Sequence, residues 1–171
     1  MIELKSPDVA PYVPSHPRVV AAMLYLPNFG FRDKLCDLGA GRGEIVFPAL
    51  QTFPGIKGIA IEMSKTRARY IERRAELLGL GRRLEVIQGS FFDYNLSDCD
   101  VVTAYLTRRG NEAIKPKLEK ELRGSARVVT HDFLFSGWKN SKIIEIIIPD
   151  ITLPYLPVLH KAILYEMSKI R

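Results

Sequence analysis

The sequence predicts a doubly wound α/β fold built on a seven-stranded sheet that is mostly parallel, with one antiparallel strand. Short apolar runs typical of strands alternate with helical patterns from residue 34 to residue 133. After Trp138 two further strand-like runs follow each other with almost no room for a helix, which indicates a terminal hairpin. A glycine-rich turn joins the first strand to the next helix, as in ligand-binding α/β sheets.

The first helix is predicted after a proline-rich opening that should be extended. Ser15 is its expected N-cap, and Pro17 lies in the first turn of an apolar stripe with helical spacing. The first strand ends at Asp37, and a helix over 44–53 follows the glycine turn. Pro48 is expected to distort the first turns of that helix.

The next helix is predicted to begin after a cap at Ser64 and to end at Gly79. Its arginines, among them Arg67, are expected on solvated faces. Farther along, Asn111 is predicted to cap a short helical segment and Pro116 to restart the helix. The remaining predicted strands are 57–62, 84–88, 100–106, 127–133, 143–148 and about 162–167.

The 171 residues, of which 47% are hydrophobic, suit one domain, with an N-terminal lid segment and helix at 1–32 and a core at 33–171. No run of about 18 apolar residues occurs, and the N-terminus lacks an apolar signal-peptide core. We therefore expect a cytoplasmic monomer that does not bind membranes. The net charge of +6 permits an acidic partner such as RNA or an acidic protein surface.

The two cysteines, Cys36 and Cys99, have neither metal-ligand spacing nor a C-x-x-C motif, and no metal site is predicted. We expect both to be buried thiols in a reducing compartment. A disulfide is the alternative, because the predicted fold places both cysteines on adjacent strands near the sheet centre. That alternative would suit a hyperthermophilic source.

The stretch Asp37-Leu-Gly-Ala-Gly-Arg-Gly-Glu44 carries the main functional signal. Gly39, Gly41 and Gly43 can adopt positive φ and let a ligand lie against the backbone. The helix N-terminus behind them offers N–H groups to an anion. The spacing departs from the dinucleotide pattern G-x-G-x-x-G, because a glutamate takes the last position. Glu62 ends the next strand about 20 residues downstream, where a ribose-binding acid is expected.

The spacing D-x-G-x-G-x-G resembles motif I of class I S-adenosylmethionine (SAM) methyltransferases. Four other stretches narrow the resemblance to the small seven-β-strand protein lysine methyltransferases, which include archaeal broad-specificity enzymes and mitochondrial enzymes acting on the ATP synthase c-subunit. These stretches are Tyr12-Val-Pro-Ser15, Gly89-Ser-Phe-Phe-Asp93, Lys115-Pro-Lys-Leu-Glu-Lys-Glu-Leu122 and Arg127-Val-Val-Thr-His-Asp-Phe133. The resemblance covers roughly residues 11–138 and implies a Rossmann-like core that binds SAM.

The resemblance implies a role in SAM binding for each matched residue. Asp37 would engage the methionine amino group, Glu62 the ribose hydroxyls, and Met63 would flank the adenine. The segment 12–15 would fold over the methionine end as a lid. The full predicted cofactor set is Tyr12, Pro14, Asp37, Gly39, Ala40, Gly41, Gly43, Glu62, Met63, Ser90, Phe91 and Tyr105.

Ser90 departs from the family pattern. The position after Gly89 is commonly Asp or Asn in similar enzymes, where it meets the adenine amino group. With serine at this position, the adenine contact can pass to the backbone, to Phe91 or to Asp93.

The residues at the end of the fourth predicted strand are Ala104-Tyr-Leu-Thr107, and they argue against a nucleobase as the methyl acceptor. Enzymes that methylate exocyclic base amines usually carry an Asn/Asp-Pro-Pro-aromatic turn here, and neither cysteine offers the nucleophile of a 5-methylcytosine enzyme. A lysine acceptor must lose a proton, which from a pKa of about 10.4 costs roughly 4 to 5 kcal/mol at neutral pH. An apolar channel beside a sulfonium lowers that cost, so we expect no dedicated catalytic base.

Aromatic side chains are the candidate walls of the lysine channel. Tyr105, at the carboxyl end of its strand, and Tyr12 are the predicted catalytic residues. Phe133 and Trp138 are further candidates, with core packing as the alternative for each. Just beyond Tyr105, Arg108 and a neighbouring arginine are placed to touch an acidic substrate surface, with a solvated loop as the alternative.

The three histidines receive no catalytic role. His131 and Asp132 follow one another on a predicted strand, so their side chains should point to opposite faces and cannot form a dyad. His16 and His160 lie outside the matched motifs.

The predicted function is a SAM-dependent protein-lysine N-methyltransferase that acts on protein substrates with exposed lysines. The first alternative is an RNA methyltransferase for rRNA or tRNA, which the net charge of +6 motivates. A small-molecule methyltransferase fits the sequence less well, because no spare sequence exists for a lid over a small buried acceptor. The non-enzymatic alternative is a SAM-binding or scaffold protein.

Overall fold

The computed structural model describes residues 11–149 and 156–170. In this part of the chain the helices are α1 (Pro17–Tyr25), α2 (Val46–Thr52), α3 (Lys65–Leu77) and α4 (Arg108–Glu121). The strands are β1 (Lys34–Leu38), β2 (Lys57–Glu62), β3 (Leu84–Gln88), β4 (Val101–Ala104), β5 (Arg127–His131), β6 (Lys142–Pro149) and β7 (Pro157–Glu166), before a short 3-10 turn (Met167–Lys169). Residues 1–10, where a signal peptide would begin, and residues 150–155 between the last two predicted strands lie outside the described residues.

All seven strands form one sheet in the order β3-β2-β1-β4-β5-β7-β6. Neighbouring strands from β3 to β5 are parallel, whereas β7 runs antiparallel to both β5 and β6. This arrangement confirms the predicted fold class. The chain steps outward from β1 to β3 and then returns to place β4 on the other side of β1. The carboxyl ends of β1 and β4 therefore form the switch point at which such sheets bind ligands.

Both faces of the sheet are covered by helices. Successive strand residues point to opposite faces, so Leu35 and Val101 belong to one buried apolar cluster while Cys36 and Val102 belong to the other. The first cluster takes its helical residues from α1, α2 and α3, and the second takes its helical residues from α4. No helix in the described ranges is long and apolar enough to cross a membrane.

Two of the helix starts test the predicted caps. The cap of α3 is Ser64, as predicted, and its Oγ accepts the N–H of Arg67 at 3.4 Å. The cap of α1 is His16 rather than Ser15, because the His16 Nδ1 accepts the N–H of Arg18 at 3.2 Å. The prediction for Ser15 was therefore wrong. Its Oγ lies instead 3.0 Å from Nδ1 of His131, at hydrogen-bonding distance.

Helix α4 corrects a second prediction, because it is one continuous helix rather than two segments. Thr107 caps it, and Asn111 lies fully buried inside the helix instead of capping it. Pro116 stands in the helix interior, where proline normally removes a backbone hydrogen bond. Ile114 and Leu118 are fully buried on either side of it, so packing against the sheet holds the helix through the proline.

The cysteines correct a third prediction. Cys36 and Cys99 form a disulfide with their Cα atoms 5.9 Å apart, so the expectation of free thiols was wrong. Cys36 lies on β1, and Cys99 lies in the turn that leads into the neighbouring strand β4. The prediction of adjacent strands holds for Cys36 on β1, whereas Cys99 lies two residues before β4 rather than on it. The preference for a reduced state came from a general rule about compartments.

Candidate active site

A cleft opens at the switch point between β1 and β4. It is lined by Pro11, Tyr12, Val13, Ser15, Asp37, Gly39, Ala40, Gly41, Glu44, Ile45, Ile61, Glu62, Met63, Arg67, Gly89, Ser90, Phe91, Tyr105 and Leu106. Most of the residues predicted from the sequence to bind the cofactor are thus brought together in one place. Pro14 and Gly43 are the predicted members that do not line this cleft.

The three loop glycines all have positive φ, of 75° at Gly39, 60° at Gly41 and 83° at Gly43. A Cβ added at Gly39 would meet no atom within 4 Å, so this position faces open space. At Gly41 the added atom would lie 2.6 Å from the ring of Tyr12, and at Gly43 it would lie 2.5 Å from the ring of Phe47. Gly43 therefore serves the packing of α2, which explains why it does not line the cleft.

The amides of the glycine loop are occupied within the protein. The N–H groups of Gly39 and Ala40 donate to Ile61 O, Gly41 to Glu62 Oε2, Arg42 to Glu44 Oε2, and Gly43 to Ala40 O. These five amides are held by internal partners and do not form an anion-binding cradle. The loop contributes its shape, and the acidic side chains that line the cleft are Asp37, Glu44 and Glu62.

Glu62 is the best-anchored acid of the cleft and is almost fully buried. Its Oε1 accepts from the N–H of Ser64 at 2.7 Å and from the guanidinium of Arg67 at 2.8 and 3.1 Å. Its Oε2 accepts from the N–H of Gly41 at 2.9 Å. A carboxylate oxygen can accept more than one hydrogen bond, so Oε2 keeps capacity for a ligand hydroxyl.

Arg67 lines the cleft, although the sequence did not indicate a place for it there. It was expected on a solvated helix face, but it lines the cleft and pairs with Glu62. Its guanidinium carbon also lies 5.0 Å from the ring centroid of Tyr12, within the range of a cation–π contact. Helical periodicity only separates the apolar face of α3 from the rest, so it could not identify an arginine at the helix start as part of a site.

Asp37 lies at the base of the cleft and is 2% exposed. The hydroxyl of Thr103 donates to its Oδ1 at 2.8 Å. Burial is the main cause that raises the pKa of Asp37 to about 7; the Thr103 hydrogen bond opposes this rise, and the charges of Glu44 and Glu62 add to it. A buried acid with a raised pKa among other acids favours a cationic partner.

Tyr12 holds the N-terminal segment against the glycine loop. Its hydroxyl donates to Glu44 Oε1 at 2.5 Å, and its ring lies against Gly41. Burial and the hydrogen bond to Glu44 raise the pKa of Tyr12 to about 12, so the phenol stays protonated. The segment that contains Tyr12 therefore forms one wall of the cleft.

Tyr105 follows the end of β4 and lines the opposite part of the cleft. Its ring stacks on the ring of His131 with the centroids 3.8 Å apart. Burial, and to a smaller extent the charge of Asp132, raises the pKa of Tyr105, so this phenol is also neutral.

The other two candidate channel walls do not reach the cleft. Trp138 is buried, packs on Phe135 with ring centroids 4.4 Å apart, and donates from Nε1 to Glu119 Oε1 at 2.7 Å. Phe133 lies in a neighbouring surface depression together with Arg108. Of the four candidate channel walls, Tyr12 and Tyr105 line the cleft.

Ser90, Phe91 and Met63 line the part of the cleft nearest the end of β3. Ser90 uses its Oγ to accept the N–H of Phe92 at 3.2 Å, which stabilises the turn after β3. Phe91 lines the cleft beside Ser90, and Met63 stands partly exposed at its edge.

The prediction that His131 and Asp132 point to opposite faces was wrong. Strand β5 ends at His131, and Asp132 has a φ of 61°, so the chain turns at this residue instead of continuing the strand. As a result His131 Nε2 lies 3.3 Å from Asp132 Oδ2. His160 on β7, which received no role from the sequence, joins them with its Nδ1 at 2.9 Å from the same Oδ2.

Comparison with known proteins places this cleft in a family. Residues 37–142 match the family model described as the ANTKMT methyltransferase domain. A protein-lysine N-methyltransferase of Saccharolobus islandicus (strain REY15A) is 37% identical over 136 residues, which cover 80% of this chain and 84% of the relative.

Solved structures share the whole fold. An RNA methyltransferase from Salinibacter ruber, in complex with S-adenosyl-L-homocysteine, has a TM-score of 0.80 at 28% identity and covers 93% of this chain and 96% of its own. A precorrin 8w decarboxylase of Methanobacterium thermoautotrophicum has a TM-score of 0.69 at 18% identity over 94% and 95% of the two chains, and this similarity shows the fold alone.

The matched family model begins at the acid before the glycine loop and extends through α4 and β5 to the start of β6. It therefore includes the glycine loop, the acid at the end of β2 and the tyrosine that follows β4. The chain belongs to the ANTKMT methyltransferase family and is a SAM-dependent methyltransferase of class I.

Proposed function

We propose that the protein transfers methyl groups from SAM to the side-chain amines of lysines in protein substrates. The observation that carries this proposal is the similarity to the Saccharolobus islandicus protein-lysine N-methyltransferase, at 37% identity over 80% of this chain. The matched region also covers 84% of the relative, so the similarity extends over most of both proteins.

The cleft residues can hold SAM by its cationic and hydroxyl groups. Asp37 would pair with the methionine ammonium, and Glu62 would accept from the ribose hydroxyls through Oε2, which has spare acceptor capacity. Met63 and Phe91 would flank the adenine, with Ser90 beside them. When bound, SAM supplies a methyl group on a positively charged sulfur.

The acceptor side needs a neutral amine in line with that methyl group. Removing the lysine proton costs roughly 4 to 5 kcal/mol at neutral pH, and a second cation beside the sulfonium is disfavoured in a half-buried site. Tyr105 is assigned to guide the lysine side chain, because it is a neutral, half-buried aromatic residue on the wall of the cleft. Alignment supplies most of the remaining rate enhancement, so no general base is assigned.

RNA methylation is the second candidate function. The specific observation that favours it is the similarity to the RNA methyltransferase from Salinibacter ruber, at 28% identity. The net charge of +6 is compatible with an acidic substrate of this kind.

The deciding experiment supplies methyl-labelled SAM and the purified protein to a cell extract. We expect label that disappears with protease, survives ribonuclease and is found on lysine after hydrolysis. Label that disappears with ribonuclease and survives protease would overturn the lysine proposal in favour of RNA. The Glu62→Ala variant serves as the control for labelling by other enzymes of the extract, because it lacks the proposed ribose-binding carboxylate.

A further inference from the structure

Three ligand-type atoms meet at the end of the sheet beside the cleft. His131 Nε2 lies 3.1 Å from His160 Nδ1, His160 Nδ1 lies 2.9 Å from Asp132 Oδ2, and Asp132 Oδ2 lies 3.3 Å from His131 Nε2. They form a nearly equilateral triangle. His131 and Asp132 come from the end of β5, and His160 comes from β7.

We propose that His131, Asp132 and His160, which we call the His-Asp-His triangle, bind a divalent transition-metal ion, with Zn²⁺ as the ion of best fit. This inference goes beyond the methyltransferase activity and does not depend on which acceptor is methylated.

The size of the triangle fits one shared cation. Zinc lies about 2.0 to 2.1 Å from imidazole nitrogen and carboxylate oxygen, which separates two ligands by about 3.0 Å at octahedral angles and about 3.3 Å at tetrahedral angles. The observed sides of 2.9, 3.1 and 3.3 Å agree with these separations.

Hydrogen bonds satisfy the triangle less well than a cation does. A neutral imidazole carries one N–H, and that hydrogen points to one partner at a time. If both nitrogens of the triangle carry hydrogens for Asp132, the two N–H groups face each other across 3.1 Å. If one of these nitrogens carries no hydrogen, its lone pair faces a lone pair of the Asp132 carboxylate, and the two acceptors repel each other. A single cation satisfies all three atoms together.

The donor set selects the kind of metal. Imidazole nitrogens suit Zn, Cu, Fe and Ni, whereas Mg²⁺ and Ca²⁺ prefer oxygen ligands. Both histidines present a ring nitrogen to the triangle, as an imidazole metal ligand must.

The surroundings orient these ligands in the way that metal sites require. His131 Nδ1, the ring nitrogen away from the triangle, lies 3.0 Å from Ser15 Oγ. Asp132 Oδ1 accepts the N–H of Lys161 at 2.8 Å, and the N–H of Asp132 donates back to Lys161 O at 2.8 Å. These contacts hold Asp132 at its positive φ and leave Oδ2 for the triangle.

The site is also accessible. His131 is buried, but the side chains of Asp132 and His160 are 24% and 21% exposed, so solvent can supply the remaining metal ligand. Because Ser15 and Tyr105 both contact His131 and line the cleft, a bound metal would fix the N-terminal segment and the acceptor side of the cleft to β5 and β7.

The test measures metal binding by the full chain, after tag removal and treatment with a chelator, under oxidising conditions that keep the disulfide closed. We expect titration calorimetry to show one Zn²⁺ per chain and Co²⁺ to give the visible absorption of an ordered site. His160→Ala and Asp132→Asn should each weaken Zn²⁺ binding at least about a hundredfold, since even outer-shell changes cost 10–100-fold.

The matched control is His16→Asn, which removes a histidine outside the triangle, keeps a residue able to cap α1 and should bind Zn²⁺ as the unaltered protein does. If the ligand variants do not fold, protection answers the question: Zn²⁺ should shield His160, but not His16, from acylation by diethyl pyrocarbonate, as mapped by mass spectrometry. Absence of Zn²⁺ and Co²⁺ binding by the folded protein would overturn the proposal. Equal binding by His160→Ala, or equal acylation of both histidines, would overturn it as well.

Discussion

The side chain of Glu62 connects two elements of the cleft without a bound ligand. It accepts hydrogen bonds from Gly41 on the glycine loop and from Ser64 and Arg67 at the start of α3. A single carboxylate therefore fixes the loop and the helix relative to each other. This arrangement is preorganised, because Oε2 already has the position that a ribose hydroxyl would contact.

Replacing this acid should separate its role in ligand binding from its role in the fold. For Glu62→Ala we expect SAM affinity to fall by about 1.5 to 3 kcal/mol, the scale of a lost charged hydrogen bond. Calorimetry with S-adenosylhomocysteine measures the effect. The matched control is Glu72→Ala on the exposed face of α3, which should bind as the unaltered protein does. Equal affinities for the two variants would remove Glu62 from the ribose site.

Asp37 should make ligand binding depend on pH. Its pKa in the free protein is about 7, and a bound ammonium favours the charged carboxylate, so binding releases a proton below that pH. Affinity for S-adenosylhomocysteine should rise roughly tenfold between pH 6 and pH 8. The Asp37→Asn variant should bind S-adenosylhomocysteine weakly, and its affinity should no longer depend on the titration of residue 37. Any remaining pH dependence then comes from the ligand itself. Parallel pH profiles for the two proteins would contradict the assignment.

The same raised pKa affects the stability of the free protein with a definite sign. The folded state of Asp37 favours the protonated form, so its contribution to stability is present below its ordinary pKa of 3.8 and is lost as the pH rises through about 7. A bound ammonium would compensate for the charge in the neutral range.

Tyr105 tests the acceptor side of the cleft. Tyr105→Ala should slow methyl transfer at least tenfold while binding of S-adenosylhomocysteine changes little, because alignment of the acceptor is lost but the cofactor acids remain. Tyr105→Phe is the matched control, since it preserves a ring for the contact with His131. Normal turnover of the alanine variant would show that Tyr105 does not guide the acceptor.

At the level of elements, local patterns predicted most of the sheet. The bounds of β2 and β3 agree with the prediction, because each is a short apolar run ended by turn residues. Helix α4 was split in error, since Asn111 and Pro116 are local stop signals while the packing that overrides them is tertiary.

The site was predictable to the extent that its residues lie at strand ends. Asp37, Glu62 and Tyr105 were found because the carboxyl ends of parallel strands converge. The His-Asp-His triangle was missed, since it depends on the antiparallel pairing of β5 with β7 and on one residue with positive φ. Neither the register of a distant strand nor a single left-handed residue can be read from periodicity.

The disulfide joins two neighbouring central elements and closes a loop with a sequence separation of 63. Chain-entropy arguments give about 4 kcal/mol for a loop of this length, and measured values are commonly 2 to 4 kcal/mol. Reductant should lower the free energy of unfolding in urea by about that amount. A double variant with Cys36→Ala and Cys99→Ala should not respond to reductant. Two titratable thiols in the unreduced, denatured protein would show that the disulfide is absent.

At the scale of the whole molecule, the cleft draws on the N-terminal segment, on the ends of the four parallel strands β1 to β4 and on the start of α3. A ligand that contacts all of them opposes unfolding of the entire chain. At a concentration one hundred times its dissociation constant, S-adenosylhomocysteine should stabilise the protein by about 2.7 kcal/mol. For 171 residues this raises the melting temperature by about 5 to 10 °C.

Differential scanning calorimetry with and without S-adenosylhomocysteine checks this shift. The Glu62→Ala variant is the control, because weaker binding at the same ligand concentration should reduce the increase. An unchanged melting temperature of the unaltered protein at saturating ligand would show that these elements do not form a common binding site for S-adenosylhomocysteine.

Because the loop amides are paired within the protein, they restrict which adenosine derivatives can bind in this cleft. The N–H groups from residue 39 to residue 43 have internal partners. The charged side chains that line the cleft are Asp37, Glu44, Glu62 and Arg67, and Arg67 is already paired with Glu62. A triphosphate or diphosphate would meet like charge without free donors to compensate. The cleft should therefore reject ATP and dinucleotides by repulsion, so that the methyl donor need not compete with these adenosine compounds for the site.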